Sequence, residues 1–253
     1  MRGSPDAAGV AEVHDDEMEQ GHAAEAGWAQ EVQKLMLHGR DREAAELAAM
    51  HLRHDLTNTE SPTRGELKMG PLEQLDELEP LLGRIASGIT PDQLDAPTPC
   101  ADFTVRGVLG HVMGGATQFA AAFRGEPQPD VPSDIAEGPD VVERAGQALG
   151  GLTAAIRAPG ALDRNVLGPF GEMPGDAFAR FVVLDGLVHG WDLATATNQP
   201  YEPSDGLVAA VEGFARQAIT PELRDGQTFA AATEPSEGAA PIDRLAAYTG
   251  RMA

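Results

Sequence analysis

Past residue 70 the apolar residues return at every third or fourth position, and that spacing confines the chain to packed helices. Leu72, Leu75, Leu78, Leu81, Leu82 and Ile85 make one such stripe; Val105, Leu109, Val112, Ala116, Phe119 and Phe123 make a second. A period near 3.6 puts these side chains on one face of a helix, whereas a strand would need strict alternation. The pattern predicts helices over 71–89, from the cap at Thr104 to about 123, and over 140–157, 176–197 and 204–219, with a terminal turn at 242–250. Thr90-Pro91 ends the first helix, and 127–134 reads as a loop. Gly-Pro and Pro-Gly turns around short apolar pieces in 162–174 suggest a small hairpin or an irregular loop. No internal repeat is found. The class is mainly α, most simply a four-helix bundle.

The first part of the chain reads differently. Residues 1–22 are rich in Gly, Ala, Asp and Glu with little periodicity, the composition of a disordered lead. Residues 23–68 read as a helical extension followed by a linker carrying Ser61-Pro62 and Gly65, and the bundle is expected over 69–253.

Composition removes several classes of function. The net charge of −22 argues against nucleic acid, whose phosphates are bound through Lys and Arg. No apolar run approaches the roughly 20 residues needed to span a bilayer, so no membrane partner is expected. With no apolar leader either, the cytoplasm is the expected location. A single cysteine, Cys100, excludes an internal disulfide and a four-cysteine zinc site. Any metal must then be held by His and carboxylate. Both lysines, Lys34 and Lys68, precede residue 70, so the main segment cannot form a Schiff base. Arginine remains available as a fork for substrate carboxylates.

Two places can carry chemistry. Asp185 and His189 stand at i and i+4 on a segment that is apolar almost all round, Phe181-Val182-Val183-Leu184 before them and Val188, Trp191 and Leu193 around and after. Such a helix is buried, and a buried carboxylate and imidazole need partners. They can converge on one ion, or they can form a local Asp–His hydrogen bond. His111 lies mid-helix among Gly110, Gly114 and Gly115. Glycines inside a helix cost roughly 1 kcal/mol each against Ala, so close helix approach or room beside the imidazole should explain them. The plainer reading is a core histidine bonded to a neighbour. His111 and His189 are the only histidines after residue 54, and both are expected on buried helices. His14, His22, His38, His51 and His54 read as solvated helix residues. Asp192 is placed to orient a ligand from behind. Cys100, in a Pro-Cys turn beside acid, is not in an activating setting and is expected to pack or line a pocket. No Ser–His triad can be assembled.

The segments Thr98-Pro99-Cys100-Ala101-Asp102-Phe103-Thr104-Val105-Arg106-Gly107-Val108-Leu109-Gly110-His111 and Leu187-Val188-His189-Gly190-Trp191-Asp192-Leu193-Ala194 resemble the DinB-like metal-binding bundles of actinobacteria. More narrowly they resemble the N-terminal domain of mycothiol-dependent maleylpyruvate isomerase. The ending Ile242-Asp243-Arg244-Leu245-Ala246-Ala247-Tyr248-Thr249-Gly250-Arg251 matches a stand-alone subgroup of the same family. The resemblance implies a DinB-like bundle holding a divalent ion, zinc or nickel, on His111, Asp185 and His189, with Asp185 where the isomerase has Glu. It also implies a low-molecular-weight thiol such as mycothiol as cosubstrate.

The function expected from all this is a metal-dependent thiol S-transferase or isomerase acting on a small electrophile, with Arg180 a candidate clamp for a substrate carboxylate. Two alternatives stay open: a non-catalytic bundle with a structural ion, and a metal-assisted hydrolase. Thiol, electrophile, metal and oligomeric state are not specified by the sequence.

Overall fold

The computed structural model describes residues 69–252 apart from 102, 169, 170 and 225–227. The expected disordered lead at 1–22, and the helical extension and linker at 23–68, lie outside the described residues. Among the described residues six α-helices follow one another: α1 (Pro71–Gly88), α2 (Val105–Arg124), α3 (Val141–Ile156), α4 (Gly175–Ala196), α5 (Asp205–Ala218) and α6 (Pro241–Tyr248). Two short strands, β1 (Asn165–Gly168) and β2 (Gly171–Pro174), pair between α3 and α4. The protein is mainly helical, as the periodicity requires. The segment expected to be a terminal turn is a two-turn helix, α6, started by Pro241, whose missing N–H costs nothing at that position.

Local chemistry sets the helix ends. Glu73 accepts a hydrogen bond from the Gly70 N–H at 2.8 Å, closing the open end of α1. The Thr104 hydroxyl accepts from the Gly107 N–H at 3.2 Å and starts α2, as its position before the apolar stripe predicts. Gly125, with φ +73°, ends that helix in the left-handed region where a side chain is strained.

α1 packs against α4 and α2 against α3; α1 also touches α3, and α2 touches α4. These four helices form the bundle. Its interior holds Ile85 from α1, Val105, Val108, Leu109 and Met113 from α2, Val141 and Ala145 from α3, and Leu193 and Ala194 from α4. A second knot of aromatics lies along α2 and α4, with Phe178 stacked on Phe123 at 5.3 Å and edge-on to Phe119 at 4.9 Å. Thirteen of the twenty-two residues of α4 are buried, because α5 and α6 cover the side that α1 and α2 leave open. An all-round apolar helix leaves little of itself to solvent. A polar side chain on α4 therefore has to find its partner inside the protein.

Candidate metal centre

α4 brings Asp185 and His189 one turn apart on one face, and α2 carries His111 to the same place. His111 Nε2 lies 3.4 Å from Asp185 Oδ1, and His189 Nε2 lies 3.5 Å from the same oxygen. One donor atom from each residue falls within 4.8 Å of the others. Two donors on a tetrahedral zinc-like ion, each bonded at about 2.0–2.2 Å, stand roughly 3.3–3.6 Å apart. The two separations in the cluster, 3.4 and 3.5 Å, fall in that range. The donor set, two imidazoles and one carboxylate, is the chemistry such ions take.

The imidazoles are held in place from behind. His189 Nδ1 lies 2.9 Å from Asp192 Oδ2. Asp192 has no exposed surface and is gripped by Arg251, whose Nη2 donates to Oδ2 at 2.9 Å and whose Nε lies 3.3 Å from both oxygens. A carboxylate already paired with a guanidinium accepts and does not donate. His189 therefore keeps a proton on Nδ1, which leaves Nε2 as the nitrogen that can face a cation beside Asp185. Phe103 lies over both rings, its centroid 5.5 Å from that of His111 and 6.4 Å from that of His189.

Electrostatics run the same way. Burial pushes the Asp185 carboxyl up, but His189, His111 and Arg251 together outweigh it and hold the group at about 2. The hydrogen bond to Asp185 raises His111 above its ordinary value, against an opposing effect of burial. Tyr201 is raised as well, first by burial and then by the Asp192 charge. Its hydroxyl donates to the Leu187 carbonyl at 2.9 Å and stays protonated.

Three sequence expectations need correcting. His111 is not buried: its side chain is 42 % exposed and that of Asp185 43 %, so the cluster is open to solvent on one side. Gly110 and Gly114, on either side of His111, do not serve helix–helix approach. A Cβ on Gly110 would meet Ala136 at 2.9 Å and one on Gly114 would meet Val131 at 3.2 Å, both in the loop that crosses α2. Arg180 is not at the cluster either. Its Nε donates to Asp176 at 2.9 Å and its Nη1 to the Met69 carbonyl, and it is absent from the cavity beside Asp185 and His189. Its Nε and Nη1 are engaged away from the cluster.

Arg251 is the residue that sequence reasoning missed. A buried Asp192 demanded a cation, and every cation after residue 70 is an arginine, but spacing alone could not choose among them. The choice is made by Gly250, whose φ of +96° reverses the chain after α6 and sends Arg251 back toward α4. Cys100 also comes close: its sulfur, a His189 nitrogen and an Asp192 oxygen form a second set within 4.8 Å. This set suits a cation less well, since Asp192 already carries the Arg251 charge.

The family described as the mycothiol maleylpyruvate isomerase N-terminal domain matches residues 75–194, a stretch that contains His111, Asp185, His189 and Asp192. Two relatives, the uncharacterized proteins MT0763 and Rv0738 of Mycobacterium tuberculosis, strains CDC 1551 and H37Rv, are each 31 % identical over 188 residues. That alignment covers 72 % of this chain and 98 % of the relative. No solved structure gives a significant match. No helix among the described residues is long and apolar enough to cross a membrane. The chain belongs to the family of the mycothiol maleylpyruvate isomerase N-terminal domain.

Proposed function

We propose that the protein is a metal-dependent thiol transferase or isomerase, holding a divalent cation on His111, Asp185 and His189 and using a low-molecular-weight thiol, such as mycothiol, against a small electrophile. The observation that carries this is the pair of imidazole nitrogens at 3.4 and 3.5 Å from one Asp185 oxygen. When bound, a divalent cation lowers the pKa of a thiol so that thiolate is available near neutral pH. Without it the site disfavours thiolate, because the nearby carboxylates Asp185 and Asp192 repel it and Arg251 is already paired with Asp192.

The chain's own residues do the rest. Asp185 supplies the single negative charge of the donor set. Asp192 orients the His189 ring through Nδ1, and Arg251 holds Asp192 in place. Phe103 packs beside both imidazoles. The exposure of His111 and Asp185 favours this reading over a structural ion, since structural zinc sites are closed by four protein ligands and catalytic sites keep a position open. The location that goes with this reading is the cytoplasm.

The test is metal content followed by turnover. Purified wild-type protein dialysed against zinc or nickel should retain about one ion per chain, and His189→Ala should retain far less. Loss of free thiol in the presence of an electrophile should then depend on the bound ion. Equal metal content in the two proteins would sink the proposal. Consumption of the electrophile without any thiol would point instead to a hydrolase.

A further inference from the structure

The two imidazoles of the cluster are supported unequally. The His189 side chain is 8 % exposed and is backed through Nδ1 by Asp192, which Arg251 grips in turn. That of His111 is 42 % exposed and bonds through Nε2 to Asp185, while its Nδ1 has no hydrogen-bond partner among the described residues. A metal-binding histidine ordinarily has its second nitrogen fixed by a carboxylate, a carbonyl or water. His111 is packed by rings instead. One is His189, at 4.9 Å between centroids; the other is Phe103, at 5.5 Å with the two planes inclined by 39°.

Local structure holds the Phe103 ring there. Its backbone N–H donates to the Cys100 carbonyl at 2.9 Å, and its own carbonyl accepts from the Thr98 N–H at 3.1 Å and the Thr98 hydroxyl at 2.8 Å. Pro97 and Thr104 pair across the base of the turn. The side chain packs, partly buried, against the interior cluster that holds Val105, Val108 and Leu109. Gly107 supplies the space. It stands four residues before His111, on the same face of α2, and a helical side chain leans back over the turn before its own Cα. The His111 imidazole therefore leans over position 107. A Cβ there would meet Phe103 Cδ1 at 3.0 Å and Phe103 Cβ at 3.4 Å, so the side chain missing at 107 leaves the place that Phe103 fills.

We infer that Phe103 is a positioning residue for His111: seated over Gly107, its ring restricts the imidazole to the rotamer that turns Nε2 toward Asp185. It does by packing for His111 what Asp192 does by hydrogen bonding for His189. A side chain held in its binding rotamer beforehand loses less freedom when the ligand arrives. The consequence for metal affinity rests on the reading that the cluster holds a divalent cation. The restriction of the imidazole stands on the packing alone.

The test uses the full chain, with cobalt(II) as the metal probe followed by its visible absorption. Phe103→Leu keeps an apolar side chain in place without the ring, and should bind cobalt about tenfold more weakly, the low end of what losing an outer support costs. Phe103→Tyr, which keeps the ring, should bind within about twofold of wild type. Phe214→Leu, which removes a partly buried ring on α5 where it meets Phe181, should leave cobalt binding unchanged. In a His111→Ala background Phe103→Leu should weaken cobalt no further, because a residue that acts through another has no effect once that one is gone. In metal-free protein, three-bond couplings across the His111 Cα–Cβ bond should report one rotamer in wild type and an average of rotamers in Phe103→Leu, with those of His189 unchanged. The inference is overturned if the His111 couplings do not change, if tyrosine binds cobalt as poorly as leucine, or if leucine costs as much without the His111 ring as with it. Wild-type protein that takes up no cobalt, while the couplings change as stated, would end the metal reading and leave the placement of His111 by Phe103 standing.

Discussion

Asp192 sits with no exposed surface between two cationic or proton-donating groups, Arg251 and the His189 ring. Taking away one partner of a buried ion pair strands the other, at a cost of about 3–5 kcal/mol. Arg251→Ala should therefore destabilise the protein by roughly that amount in urea unfolding and should weaken metal binding through loss of His189 orientation. Arg251→Met combined with Asp192→Leu should be less destabilising than Arg251→Ala alone. Purely additive losses would show that the two side chains do not act as a pair. The exposed half of the cluster gives a pH signature. The folded-state value of His111 is raised by Asp185, so in metal-free protein that pair stabilises fully below the unfolded histidine value, about 6.5, and its contribution is lost as pH rises through the higher folded value. Asp185, held at about 2, contributes above the ordinary carboxylate range and loses its share as pH falls toward 2. Metal binding needs neutral imidazoles, so affinity should move the opposite way and fall as pH drops through the His111 value. Melting temperatures measured from about pH 5 to 8.5 with chelator and with excess zinc should converge at the acid end and separate at the alkaline end. Parallel curves would argue against His111 as a ligand.

At the scale of the helix, α4 shows what sequence could and could not convey. Its length, its burial and the i, i+4 pairing of Asp185 with His189 were all readable, because an apolar segment with two isolated polar side chains has few ways to fold. The burial of His111 was misread because glycine neighbours look apolar; they admit the 127–139 loop over one side of α2 and leave the imidazole half in water. Gly186 and Gly190 give the opposite case, where a missing side chain is a packing device. A Cβ on Gly190 would lie 2.5 Å from the Tyr201 hydroxyl and 2.8 Å from Leu82, and the hydroxyl is fixed by its bond to the Leu187 carbonyl. Gly190→Ala should cost about 1–3 kcal/mol by overpacking and shift His189 on the preceding residue. Gly213→Ala, into open space on α5, should stabilise by up to about 1 kcal/mol. Thermal melts of the two variants should move in opposite directions; a shift of the same sign in both would mean that α4 does not approach α1 and Tyr201 this closely.

Seen as a whole, the bundle is tied at the cluster by the His111–Asp185 link between α2 and α4, two helices that touch. The hydrophobic pattern specified which faces meet. It could not specify that residues as far apart as His111, Asp185 and Arg251 converge, since that depends on the reversal at Gly250 and on the angle between helices. If a cation occupies the cluster, it joins α2 to α4 in the folded state only, and binding to the native form alone stabilises by RT ln(1 + [L]/Kd). At a free metal concentration of 100 Kd this is about 2.7 kcal/mol, or roughly 5–10 °C in melting temperature for a domain of this size. The chain's net charge of −22 attracts cations to its surface whether or not a site exists, so a melting shift in wild type alone decides nothing. The decisive quantity is the difference between wild type and His189→Ala at the same zinc concentration and ionic strength. His189→Ala removes one donor and leaves the surface charge unchanged, so it should lose most of the shift, while Gly213→Ala, altered at an open glycine on α5, should keep it. A shift of equal size in wild type and His189→Ala would assign the stabilisation to the acidic surface and leave the cluster an Asp–His hydrogen-bond network with no ion to hold.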